Sequence, residues 1–138
     1  MKIVFGYYED EDFGLTEYSE IEFSPEDTKE DAKKKSKYKK YLLTAIMEDF
    51  QYPEILSDFY EEIKALERGE INCLLWDGQA FQHEITREKV TFTNTIFGIC
   101  KEYPLWSCSF KEYRKVLKVW KEFLGLPRKE QTKVEVKI

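Results

Sequence analysis

The spacing of apolar and polar residues changes several times along this chain, and each change predicts an element. Lys2–Tyr8 is β-branched and aromatic and predicts a first strand. It runs into Glu9-Asp10-Glu11-Asp12, four adjacent carboxylates whose mutual repulsion favours an exposed loop. Tyr18, Ile21 and Phe23 predict a short second strand. Ser24-Pro25-Glu26-Asp27 then carries a helix start, with a capping serine, a proline at the first helical position and acids at the positive end of the dipole. Tyr38, Tyr41, Leu42, Ala45 and Ile46 fall at i, i+3, i+4, i+7 and i+8 and predict one apolar stripe. Lys33, Lys34, Lys35, Lys37, Lys39 and Lys40 lie mostly off that stripe, as a solvated face. Pro53 ends this helix and opens another, in which Leu56, Phe59, Tyr60, Ile63 and Leu66 repeat the pattern up to a left-handed cap at Gly69.

Beyond Gly69 the period shortens from about 3.6 to 2. Residues 70–76 predict a strand, Asp77-Gly78 a two-residue hairpin turn that pairs Trp76 with Gln79, and Phe81, His83 and Ile85 alternate on the returning strand. Residues 89–96 follow as a third strand with Val90, Phe92, Asn94 and Ile96 on one face, completing an antiparallel meander. The pattern over 97–108 is ambiguous. Ser109-Phe110-Lys111-Glu112 is a capping box opening a last helix, with Phe110, Tyr113, Val116, Leu117, Trp120 and Leu124 facing the core. Gly125 and Pro127 end it, and Val134, Val136 and Ile138 alternate as an edge strand. The sum is one α+β domain over residues 1–138: an antiparallel sheet with about three helices packed on it.

Composition narrows the class further. Ten Phe, nine Tyr and three Trp supply enough apolar area to argue against disorder. No apolar run reaches the roughly 18 residues of a membrane span, and the N-terminus has neither the basic start nor the apolar stretch of a signal peptide, so no membrane partner is expected. Cys73, Cys100 and Cys108 are an odd, uneven set, which predicts reduced thiols and a cytoplasmic setting.

Charge is lopsided. Residues 1–31 hold eleven acids against Lys2 and Lys29, a net of −9, while the rest of the chain holds 20 basic and 16 acidic residues, a net of +4. An acidic front argues against direct nucleic-acid binding and suits a basic protein surface. Its core, Glu9, Asp10, Glu11 and Asp12, is flanked by Tyr7, Tyr8 and Phe13, and aromatic anchors within a charged rim are how tight interfaces are built. These seven residues are the candidate partner-binding site. The other reading of the same acids is a solvated loop.

No constellation in the sequence predicts catalysis, a metal or a cofactor. His83 and the three cysteines lie 10, 17 and 8 residues apart in chain order, without the two-to-four-residue pairs that zinc sites use. On the expected hairpin register Cys73 neighbours His83 but points to the opposite face, which argues against a Cys–His nucleophile. His83 is expected to be a strand residue hydrogen-bonded to its surroundings, or an interface residue. The glycines are isolated, so no phosphate-cradling loop is present.

The second half of the chain resembles the small immunity proteins of bacterial toxin–immunity systems, including those of contact-dependent growth inhibition. Trp76-Asp77-Gly78 at a hairpin, alternating strands through Phe92 and Ile96, Ser109-Phe110-Lys111-Glu112-Tyr113, and Val119-Trp120-Lys121-Glu122-Phe123-Leu124 carry the resemblance over residues 70–125. It implies a non-enzymatic inhibitor that binds a cognate toxin domain, usually a nuclease, and occludes its active site. A small enzyme or nucleotide-binding domain, and a general interaction adaptor, are the alternatives. The first of these needs a pocket with a perturbed acid or His83 at its wall.

Overall fold

The computed structural model describes all 138 residues. β1 (Lys2–Asp10) and β2 (Gly14–Glu22) form a long antiparallel hairpin with Lys2 opposite Glu22 and Asp10 opposite Gly14. Glu9 and Asp10 thus continue the strand rather than joining a loop. Alternation puts their carboxylates on opposite faces of the sheet, which relieves the repulsion expected of neighbours.

The first helix begins later than Pro25. Ser24 and Asp27 close a turn on each other, the Asp27 N–H donating to the Ser24 carbonyl at 3.0 Å and the Ser24 N–H to Asp27 Oδ2 at 2.7 Å. The other Asp27 oxygen accepts from the amino group of Met1, a tertiary contact that the local signal could not reveal. Thr28 is the cap, boxed with Asp31, and α1 (Lys29–Lys37) follows. It runs without a break through a π-helical turn (Tyr38–Leu43) into α2 (Thr44–Asp49). All five stripe residues are buried, and the wider turn also buries Leu43. α3 (Pro53–Glu67) has Pro53 at its start, as expected, and buries Leu56, Phe59, Ile63 and Leu66.

The β structure is divided into two antiparallel sheets. β7 (Lys133–Lys137) pairs with β1, giving the order β2-β1-β7. The second sheet is β3-β4-β5-β6, built from β3 (Leu74–Asp77), β4 (Phe81–Ile85), β5 (Lys89–Asn94) and β6 (Trp106–Ser109). The ambiguous stretch therefore ends in a fourth strand of the meander, and Ile96 lies beyond β5, exposed instead of sharing the buried face of Val90 and Phe92.

α4 (Phe110–Leu124) packs on both sheets and joins them. Near its start Tyr113 meets Phe59 and Phe92. Near its end Trp120 lies 5.1 Å from Phe5 and Phe123 stacks 4.7 Å from Tyr7. Phe123, not foreseen in the core stripe, is fully buried, while Phe110 and Leu124 are partly buried. Ser109 and Glu112 make the expected capping box, worth about 1 kcal/mol. The second Glu112 oxygen accepts from the Tyr38 hydroxyl at 2.7 Å, tying the π turn to the start of α4. Desolvation, reinforced by that carboxylate, pushes the Tyr38 hydroxyl well above the usual tyrosine range.

Candidate functional site

Strand pairing carries the acidic sequence to the free end of the β1–β2 hairpin. Glu11, Asp12 and Phe13 make the turn, and Gly14 takes the positive φ (+71°) that lets the chain reverse. Asp10 holds the turn shut: its Oδ1 accepts from the N–H groups of Asp12 at 2.9 Å and Phe13 at 3.1 Å. Glu9, Asp10, Glu11 and Asp12 form no salt bridge, whereas Glu17 and Glu22 farther along β2 are paired with Arg128 and Lys2. Phe13, at 84% exposure, caps the tip, and Tyr8, at 43%, faces solvent on its flank. Six of the seven candidate residues thus meet at one projection that forms no salt bridge through Glu9–Asp12.

Tyr7 does not join them. Alternation turns it to the inner face with Ile3 and Phe5, where it stacks on Phe123 and is 4% exposed. Its other neighbour is the Arg128 guanidinium, 5.0 Å from the ring centroid and held by Glu17 Oε1 at 2.7 Å. Burial raises the Tyr7 hydroxyl above its ordinary pKa, opposed by Arg128. Together these groups form one wall of a cleft of about 600 Å³ between the hairpin and the α2–α3 corner, closed on the far side by Glu48, Gln51 and Tyr52.

A second polar constellation lies inside the core. His83 is fully buried, with Nε2 at 2.6 Å from Asp49 Oδ2 and Nδ1 at 2.9 Å from the Tyr113 hydroxyl. Burial pushes Tyr113 well above the usual tyrosine range, so its hydroxyl keeps the proton it can offer to Nδ1. Asp49 also accepts from the backbone N–H groups of Ala80 at 2.7 Å and Phe81 at 3.3 Å. That contact overturns the expected two-residue turn at Asp77-Gly78. The chain loops around the carboxylate over residues 78–80, so that Trp76 pairs with His83 and Asp77 with Gln82. Gly78 is needed for close approach, since a Cβ there would overlap the Asp49 carboxylate.

The order Asp–His–Tyr resembles a proton relay, but it is enclosed. His83 and Tyr113 line none of four surface clefts, and Asp49 alone of the three borders one, a cleft of about 350 Å³ shared with Tyr52, Trp76 and Gln79. As placed, the three side chains bind the end of α2, the β3–β4 turn and α4 to one another. Sequence reasoning missed Asp49, although a signal existed: it continues the 38-41-42-45-46 stripe, where a carboxylate needs a partner. Cys73 is exposed, Cys100 partly exposed and Cys108 buried, and no three ligating side chains cluster to hold a metal ion. No family model, curated protein or solved structure matches the chain.

Proposed function

We propose that this chain is a non-enzymatic immunity protein of the reducing cytoplasm, which neutralises a cognate bacterial toxin domain by setting its acidic hairpin against a basic active site. A nuclease is the toxin class that this charge suits best, because an active site that holds phosphates is itself basic. The observation that carries the reading is the hairpin tip: Phe13 and Tyr8 exposed among carboxylates that no cation of the chain neutralises. Clefts and apolar anchors supply affinity, while unpaired charges of one sign speed encounter. The Asp10 turn adds pre-organisation, so little chain entropy is lost when the tip docks. The burial of His83 removes one of the two features that the small-enzyme alternative calls for, a pocket with a perturbed acid or His83 at its wall.

The test is kinetic. The toxin-domain gene expected immediately upstream supplies the partner, and association is followed in 0.05 M and 0.5 M salt (about a tenfold step in ionic strength, which shortens the screening length about threefold). The native chain should associate at least about tenfold more slowly at the higher salt. Glu9→Gln, Glu11→Gln and Asp12→Asn together, with Asp10 kept to preserve the turn, should slow association at low salt and remove most of the salt effect. Phe13→Ser should chiefly speed dissociation. Undiminished protection by the triple variant overturns the reading.

A further inference from the structure

A run of exposed apolar side chains lies away from the hairpin. It occupies the loop between β5 and β6, where Ile96, Phe97, Ile99 and Leu105 are between 58% and 79% exposed. Four large apolar side chains on one loop would ordinarily fold inward, since each costs free energy in water. Here the backbone holds them out. Asn94 Oδ1 accepts from the N–H groups of Ile96 at 3.0 Å and Phe97 at 2.9 Å, and the Gly98 N–H donates to the Asn94 carbonyl at 2.9 Å. Farther on, the Cys100 N–H donates to the Tyr103 carbonyl at 3.2 Å, the Tyr41 hydroxyl to the Pro104 carbonyl at 2.6 Å, and Lys40 Nζ to the Glu102 carbonyl. Much of the polar backbone is satisfied within the protein and the apolar side chains are not, a division suited to a medium poorer in water.

We propose that this loop and the lysines around it form a peripheral contact surface for an anionic lipid membrane. Lys40 sits over the Tyr103 ring at 4.4 Å, and Lys37 lies 5.8 Å from the Tyr41 ring, which itself stacks on Trp106 at 5.2 Å. Lys101 is in the loop, and Lys33 precedes Lys37 by one helical turn. None of these lysines forms a salt bridge, whereas Lys2, Lys64 and Lys137 elsewhere all do. The charges of Lys33, Lys37 and Lys101 are therefore free for an outside anion, while Lys40 is tied to the Glu102 carbonyl.

Two observations favour lipid over a protein occupant. The rim is built of lysine with no arginine between residues 29 and 67 or 88 and 113, and lysine is the cation that protein interfaces avoid while arginine is enriched there. The loop also lines none of four surface clefts, so it offers none of them as a socket for a partner side chain. Half-buried Tyr103 and Trp106 stand behind the apolar tip, where aromatic side chains with a polar handle suit the headgroup level. No helix of the chain is long and apolar enough to cross a membrane, but a surface contact needs none. The expectation of no membrane partner, drawn from the lack of a span, is revised here for surface contact alone.

Sedimentation with vesicles of phosphatidylcholine, with and without phosphatidylglycerol, tests this. The native chain should pellet with the anionic vesicles at low salt and remain in solution with the zwitterionic ones. Phe97→Ser with Ile99→Ser should weaken the partition about tenfold or more. Lys33→Gln, Lys37→Gln and Lys101→Gln together should weaken it about a hundredfold, at roughly 1 kcal/mol per lysine. Four of the five side chains are exposed and Lys37 is half-buried, with none in the core, so circular dichroism should stay as in the native chain and the thermal midpoint should move little. The hairpin variant with Glu9, Glu11 and Asp12 neutralised should bind vesicles at least as well as the native chain, which separates this surface from the toxin-binding one. A native chain that ignores anionic vesicles overturns the proposal. So does one that binds them equally after the Phe97 and Ile99 changes, or one that instead self-associates through the loop.

Discussion

Asp49 and Gly78 occupy one small space, and replacing each alone and then both together measures how the enclosed network is held. Asp49→Ala removes the acceptor of three donors at once: the buried His83 Nε2, the Phe81 N–H and the Ala80 N–H. Leaving the buried His83 and Phe81 donors without an acceptor costs roughly 1–3 kcal/mol each, about 3–5 kcal/mol together. At about 2.1 cal/mol/K of unfolding entropy per residue, 138 residues have about 0.29 kcal/mol/K, so the midpoint should fall by roughly 10–17 °C. Gly78→Ala places a methyl group against the carboxylate and should cost about 1–3 kcal/mol by overpacking. In the Asp49→Ala background that methyl finds open space, and its cost should nearly vanish. The assay is urea unfolding of the four proteins, followed by tryptophan fluorescence. Additivity within about 0.5 kcal/mol would refute the reasoning, because it would mean that the two side chains do not share the site.

Two further outcomes follow from single groups. The Asp27 carboxyl is held below the usual range, first by its bond from the Met1 amino group and then by the Ser24 N–H. Its contribution is present above the unfolded value of about 4 and is lost as pH falls through the lower folded value, so Asp27→Asn should flatten the acid limb of a stability profile. A steep limb unchanged by that substitution would assign the acid sensitivity elsewhere. Mass-spectrometric alkylation near neutral pH should label exposed Cys73 in the native protein and spare Cys108, whose thiol burial pushes well up, until denaturant is added. Equal rates at the two would contradict the packing of β6 against α4.

Much of this fold was legible where the signal is local. The stripe at Tyr38, Tyr41, Leu42, Ala45 and Ile46, the Pro53 start and the Ser109–Glu112 box each depend on residues within two turns of one another, and each is in place. Where a distant group intervened, local reading failed. Asp27 looked like a first-turn acid and serves the amino terminus. Asp77-Gly78 looked like a tight hairpin and wraps a carboxylate about thirty residues upstream. The candidate hairpin was legible as a cluster of charge and aromatic residues, but which aromatics face out was not. Tyr7 and Tyr8 are indistinguishable by type, and strand parity sends one into the core and the other into solvent.

By itself the amino-acid sequence determined the α+β class, most of the buried faces of its helices and the polarity of charge between the first 31 residues and the rest. Those are properties of spacing and composition, carried by near neighbours in the chain. Only tertiary structure decided the split into two sheets, the register around Asp49, the enclosure of His83 and the outward Ile96–Leu105 loop. The register around Asp49 and the enclosure of His83 depend on polar groups far apart in sequence that must satisfy one another once water is gone, and the loop is pinned by Tyr41 and Lys40 about sixty residues away.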